Sequence, residues 1–287
     1  MSFSYDVKQE ISSIINYKNQ ELLKAELLGY MLSGNCIKSD NYLSFITENE
    51  FNIESLYKIL FNLKVDYEPE ISGKNYLAKV KYTKELKDLN ELLYSTNIDV
   101  LKTIIKGCFL GSGSITEPSK QSHLELVFNN EMNAKQVIEV AKEFDIDFKM
   151  IEKSKGKYLL YLKSNEQISL FLAIIGSNKG VLTFEDALVY KQMKNSINRK
   201  VNCETANLSK TVNAAVDQIN DIKLIQKKNE FDKMEQDLKE IAMLRINNPD
   251  CSLKELGEKI TPPLGKSGVS HRLRRIHELA ESLRKDV

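Results

Sequence analysis

The chain repeats itself, and a repeat constrains a fold more than any local pattern does. Residues 22–94 and 100–175 read as one unit written twice. Each copy opens with an apolar helix containing Gly-x-x-x-small: Leu27-Leu28-Gly29-Tyr30-Met31-Leu32-Ser33-Gly34 in the first, Ile105-Lys106-Gly107-Cys108-Phe109-Leu110-Gly111-Ser112 in the second. Gly29 and Gly107 correspond at an offset of 78, and the same offset pairs Ile37 with Ile115. An alternating strand follows, Tyr42–Ile46 against His123–Val127, at an offset of 81. After a helix, Val65-Asp66-Tyr67 answers Ile146-Asp147-Phe148 at 81, and Tyr76–Lys81 answers Tyr158–Lys163 at 82. The offset grows where Glu117-Pro118-Ser119-Lys120 lengthens a hairpin, and turns are where insertions are tolerated. The unit is α-β-β-α-β-β-α, so two copies predict an α+β domain with pseudo-twofold symmetry.

Glycines inside helices weaken them by roughly 1 kcal/mol each. Close packing of one helix on another is the simplest compensation. Gly29 and Ser33 share a helix face, as do Gly107 and Gly111, so these four are the expected helix-pair interface. A close helix pair within a duplicated α-β-β-α-β-β-α frame resembles the LAGLIDADG homing-endonuclease fold, a saddle-shaped sheet domain. The resemblance implies two acids at the helix ends, over the DNA, holding catalytic metal ions. At the motif's eighth letter this sequence has Gly34 and Ser112, neither a carboxylate. Hard divalent cations need oxygen ligands, usually charged ones, and two-metal phosphodiester chemistry loses its charge stabilisation without them. Asp40 and Glu117 are the nearest acids, but they fall in the hairpin beyond the helix. A catalytically dead domain with no metal is the expectation. Lys79, Lys81, Tyr161 and Lys163 alternate onto one sheet face, where they are either a DNA-tracking surface or ordinary solvation.

Net charge does not point to nucleic acid: 41 Lys and Arg face 40 Asp and Glu, giving +1. The distribution is more telling. Only six of the basic residues are Arg, and four of these, Arg272, Arg274, Arg275 and Arg284, fall in the last sixteen positions. Arg presents a rigid fork of donors suited to phosphates and guanine edges. The surrounding sequence has the plan of a helix-turn-helix. An amphipathic helix spans 231–247 and stops at Pro249. Ser252 with Glu255 forms a capping box for a short helix to Ile260. Thr261-Pro262-Pro263-Leu264-Gly265-Lys266 is a turn by composition, and Ser267 or Ser270 caps a last helix with the stripe Val269, Leu273, Ile276, Ala280 and Leu283. Lys266, Ser270, His271 and Arg274 are expected nearest the bases, with Ser267, Arg272 and Arg275 on phosphates. A three-helix protein-interaction domain is the competing reading.

Between the two regions the texture is polar and Asn-rich. Asn195–Asn207 reads as a connector, with Thr205 capping a linker helix whose narrow stripe (Leu208, Val212, Ala215, Ile219, Ile222) lies on the first domain. Gln226–Asn229 reads as a hinge. The organisation is therefore 1–95 and 96–190 as the two halves of the saddle domain, 191–230 as linker helix region, and 231–287 as an all-α DNA-binding domain.

The degenerate endonuclease-like domain joined to a helix-turn-helix is similar to the WhiA family. The motifs that carry the resemblance run the length of the chain: Met1-Ser2-Phe3 with Lys8-Gln9-Glu10, then Val201-Asn202-Cys203-Glu204-Thr205-Ala206-Asn207-Leu208, then Leu253–Gly257 and Lys266–Arg274. It implies a non-enzymatic bacterial DNA-binding protein, a transcription regulator of sporulation and/or a factor in chromosome segregation and cell division. The expected partner is double-stranded DNA, together with transcription or division proteins. A division-linked protein adaptor is the alternative, and an active homing-type endonuclease the least favoured reading. For Val201–Leu208 two roles stay open, contact with DNA or locking of the domains together. No cofactor is expected: Gly111-x-Gly113 lacks a third glycine, and three His (His123, His271, His277) leave little for acid–base catalysis. Four scattered Cys (Cys36, Cys108, Cys203, Cys251), no secretory leader and no long apolar run predict a cytoplasmic, nucleoid-associated chain without a membrane span, monomeric because the duplication already supplies a pseudo-dimer.

Overall fold

A computed structural model describes residues 2–39, 41–153 and 156–285. The chain divides into two compact units, residues 1–192 and 193–287.

The first unit begins with α1 (Phe3–Ser12), followed by α2 (Gln20–Leu32), β1 (Cys36–Lys38), β2 (Tyr42–Thr47), α3 (Glu50–Asn62), β3 (Tyr67–Ser72) and β4 (Asn75–Lys81). A short α4 (Lys84–Asp88) runs into a 3-10 turn, Leu89–Tyr94. The order then repeats: α5 (Ile98–Ser112), β5 (Gly113–Ile115), β6 (Leu124–Phe128), α6 (Glu131–Lys142), β7 (Lys149–Lys153), β8 (Lys157–Leu162) and α7 (Asn165–Ile174). The two antiparallel sheets have matching orders, β1-β2-β4-β3 and β5-β6-β8-β7. Leu43, Phe45, Ala78 and Val80 point into the core from the first sheet, and Leu124, Leu126, Leu160 and Leu162 from the second. These are equivalent positions at the offsets of 81 and 82, so the duplication is structural.

One correspondence is corrected. Ile37 is 54% exposed and pairs with the outward Ser44, whereas Ile115 is buried opposite Leu124. Because side-chain direction in a strand has a period of two, a one-residue difference in the turn after each helix reverses the faces. The first copy makes that turn after Leu32, while the second runs from Ser112 directly into its strand.

The helix pair α2/α5 is the centre of the unit. A Cβ on Gly29 would stand 2.7 Å from Cys108 N and from Gly107 Cα, and one on Gly107 would overlap the Glu26 carbonyl. A Cβ on Gly111 would run into Ser33. The structure thus brings Gly29, Ser33, Gly107 and Gly111 together at one helix crossing. Composition alone did not foretell the buried ion pair one turn away, where Lys106 Nζ stands 3.0 Å from Glu26 Oε2 and donates to the Ile14 carbonyl at 2.6 Å. Burial pushes the Glu26 carboxyl up while Lys106 draws it down.

The second unit begins within α8 (Asn178–Lys227), a single helix of 50 residues. A 3-10 turn (Phe231–Lys233), α9 (Gln236–Asn247), α10 (Leu253–Glu258) and α11 (Lys266–Lys285) complete it. Two expectations fail here. Thr205 caps nothing, because the helix runs uninterrupted through Asn195–Asn207. Nor is its stripe one continuous buried seam: Leu208 and Val212 are 66% and 45% exposed, while Ile222 and Ile225 enter the core built by Met234, Leu238, Ile241, Leu256, Val269 and Leu273. The helix ends where a hinge was expected, with Asn229 in the left-handed region at φ 58°. Among the described residues no helix is long and apolar enough to cross a membrane.

Candidate nucleic-acid interface

The last three helices are set by local signals. Ser252 accepts the Glu255 N–H and Glu255 accepts the Ser252 N–H at 2.7 Å, a reciprocal cap that starts α10. The connection folds back on Gly257, whose carbonyl accepts Leu264 N–H at 2.9 Å. A side chain at Gly257 would overlap the Leu264 carbonyl, so this close approach requires glycine. The helix α11 starts at Lys266, and the Gly265 carbonyl accepts from Val269 N–H. Ser267 and Ser270 therefore lie inside the helix and neither caps it, contrary to expectation.

Val269, Leu273, Ile276 and Ala280 bury one face of α11 against α9 and α10. On the other side Lys266, Ser267, Ser270, His271 and Arg274 are all exposed. Their spacing puts them on one face over two turns. No acid occurs from Lys266 to His277; the first is Glu278, 3.5 Å from Arg274. The helix N-terminus adds its own positive field there.

The two remaining arginines depart from the phosphate role expected of them. Arg272 Nε stands 3.3 Å from Asp237, and its fork reaches Glu240 at 3.8 Å and the Asp237 carbonyl at 3.4 Å. It flanks the core stripe, and the acidic start of α9 lies beside it, so its donors are spent within the unit. Arg275 makes a two-pronged contact with Glu235, 3.0 Å on one arm, which holds the Glu235 carboxyl below its ordinary pKa. Both arginines brace α11 on α9.

Two bracing residues escaped the sequence reading. Arg245 is 1% exposed and donates to the carbonyls of Asn248, Pro249 and Cys251, the last at 2.7 Å, closing the turn between α9 and α10. Asp221, on α8, is buried and accepts from His277 Nδ1 and Arg284, both at 2.7 Å. The hydrogen bond and charge of Asp221 raise the His277 pKa. An Arg three residues before the helix-stopping Asn248-Pro249 is the one sequence signal for the first of them.

In the first unit, a Cβ on Gly34 would stand 2.9 Å from the Val127 carbonyl, and Gly34 N–H donates to that oxygen at 2.7 Å. Ser112 Oγ donates to the same carbonyl at 2.6 Å. Of the acids near the motif helices, Glu117 accepts the Phe3 N–H at 2.8 Å and so caps α1; Asp40 lies outside the described residues, as does Met1. The sheet face is mixed in sign. Lys79 sits over the Tyr42 ring at 4.5 Å with Glu68 directly across from it, and Lys81 ends β4 opposite Tyr42. Tyr161 lies between Glu125 and Lys149, and Lys163, one residue past β8, sits over the Tyr161 ring at 5.2 Å.

Residues 197–280 match the family described as WhiA C-terminal HTH domain, and residues 101–194 that described as WhiA LAGLIDADG-like domain. The chain is 39% identical to a "Probable cell division protein WhiA" of Clostridium beijerinckii, with 99% of each covered. This chain belongs to the WhiA family. A second relative of the same description, from Clostridium novyi, is also 39% identical, over 100% of this chain and 99% of its own. Among solved structures, the full-length DUF199/WhiA from Thermatoga maritima is similar over 98% of this chain and 99% of that one, at 25% identity and TM-score 0.65. The WhiA matches agree with the α+β architecture: a LAGLIDADG-like domain built from two four-stranded sheets, and a helix-turn-helix.

Proposed function

We propose that this WhiA-family chain is a non-enzymatic protein that binds double-stranded DNA through the N-terminal half of α11, as a regulator of transcription and/or a factor in chromosome segregation and cell division. The observation that carries the reading is the acid-free exposed face of Lys266, Ser267, Ser270, His271 and Arg274 on a helix braced from behind by Arg272 and Arg275. Side chains at the start of a braced helix can reach base edges in the major groove, and the helix terminus itself favours phosphate. The name carried by the clostridial relatives, probable cell division protein, supports the division part of the reading, and the helix-turn-helix module supports a cytoplasmic, nucleoid-associated setting.

The ends of the paired helices in the first unit support the non-enzymatic part of the reading. A carboxylate at position 34 would press on the Val127 carbonyl, and the Ser112 hydroxyl is already committed to it. Glu117 is spent on α1. The chain is expected to act without a metal or cofactor.

The test is chromatin immunoprecipitation with sequencing on the wild type and on Lys266→Ala, Arg274→Ala, alongside duplex binding by the purified chains. Peaks and binding lost together in the variant support the reading. Binding and peaks indifferent to both substitutions defeat it, and nicking of duplex DNA by the wild type in magnesium defeats the non-enzymatic part.

A further inference from the structure

The 50-residue helix carries a stretch that its own protein leaves bare. From Met193 to Ala214 every residue of α8 is exposed. The stretch is rich in Asn, Val, Thr and Ser, which are indifferent helix formers. An unsupported helix of this length is marginal in water. It therefore has neither the propensity nor the packing that holds the other helices, and it needs a surface that completes it.

The stretch has two unlike faces. Met193, Ile197, Val201, Leu208 and Val212, spaced four or seven apart, form an apolar strip. On the opposite side Asn195, Asn198, Arg199, Asn202, Lys210 and Asn213 fall together at helical spacing. Within Met193–Ala214 the charges are Lys194, Arg199, Lys200 and Lys210 against the single acid Glu204, in a chain otherwise balanced at 41 to 40.

We infer that the Asn195/Asn198/Arg199/Asn202/Lys210 face of α8 is a second DNA-contacting surface, laid along a duplex independently of α11. Four cations against one acid suit a polyanion. Asn is a side chain that can pair with both adenine N6 and N7, and these amides are exposed to solvent. A bare helix of about 10–12 Å diameter fits a major groove of about 12 Å, and from Asn195 to Asn213 it spans about 27 Å. The match to the WhiA C-terminal HTH domain begins at residue 197, so most of this face falls within the same module as the helix-turn-helix. The inference rests on the proposed DNA-binding role but not on α11 being the reader.

The experiment uses the full chain and a fluorescein-labelled mixed-sequence duplex, titrated at NaCl concentrations between about 50 and 200 mM. In one variant Asn195, Asn198, Arg199, Asn202 and Lys210 are all replaced by Ala, which favours the helix and touches no core. Its slope of log K against log[NaCl] is expected to be shallower by about 2, for two lost phosphate contacts, with affinity down at least tenfold. A wild-type slope and affinity in this variant overturns the inference. So does loss of DNA binding in Ile197→Ser, Val201→Ser, Leu208→Ser when the Asn-face variant keeps it, which would place the contact on the opposite face of the helix. A third variant, Lys266→Ala, Arg274→Ala, separates the two readings. If it binds normally, α11 is not the reader, while a defect in the Asn-face variant still supports the α8 surface.

Discussion

At the scale of single residues, the positions that matter most are those where nothing larger fits. Gly107 lies against the Glu26 carbonyl, and a methyl there forces the helix pair apart. Gly107→Ala is expected to lower the stability of the first unit by about 3 kcal/mol, in spite of its better helix propensity, measured as a shifted urea midpoint at unchanged m-value. Glycine spacing made this contact legible in the sequence, because a costly residue in a helix needs a steric reason. Arg245 was not legible. Its role depends on three carbonyls converging at a turn, and no periodicity reports that convergence. Arg245→Met keeps the volume and removes the donors that tie three partly buried carbonyls together; the loss should be about 2 kcal/mol in the second unit, read from its unfolding transition.

At the scale of elements, α11 combines a reading face with two braces and a pH-sensitive tether. His277 has its pKa raised by Asp221, so protonation and docking of α11 on α8 support each other. The stabilising contribution is full below the unfolded histidine value of about 6.5 and is lost as pH rises through the higher folded value. An NMR titration of the His277 ring should give a pKa above the unfolded histidine value in the wild type, and one back in the ordinary histidine range in Asp221→Asn. The capping box, the Pro-Pro turn and the apolar stripe were readable because each is a short-range pattern. The ion pairs of Arg272 and Arg275 were not legible, because a charge on a helix shows its azimuth in sequence but not the acids that a neighbouring helix brings beside it. The polar run Asn195–Asn207 was misread as a break for a related reason: poor propensity was taken to end a helix that in fact continues.

At the scale of the molecule, the duplication predicted the topology of the first unit, and the register of β1 against β5 was its one slip, since a turn that differs by a residue leaves no trace in an offset. The extent of the second unit was harder to read. Ile222 and Ile225 belong to its core although they precede the expected start at 231. A fragment beginning at residue 215 should therefore be more stable than one beginning at 231 by several kcal/mol, at about 1.5–3 kcal/mol for each buried aliphatic side chain lost, with Asp221 lost besides. Comparing thermal melts of the two fragments checks this.

The Glu10 carboxylate accepts from Ser177 Oγ at 2.6 Å, Lys179 N–H at 2.8 Å and Gly180 N–H at 3.2 Å, fastening α1 to the first turn of α8 across 167 to 170 residues. On the ribosome these partners emerge far apart in time. At about 5–20 residues per second, Glu10 waits roughly 10–30 s for the backbone it is to cap. A helix made early is thus among the last to be fully seated, and the half-made chain carries Phe3, Val7 and Ile11 without their final cover. Nascent chains stalled before residue 180 should be readily cleaved within their first twenty residues, and that sensitivity should vanish once the start of the long helix has cleared the tunnel.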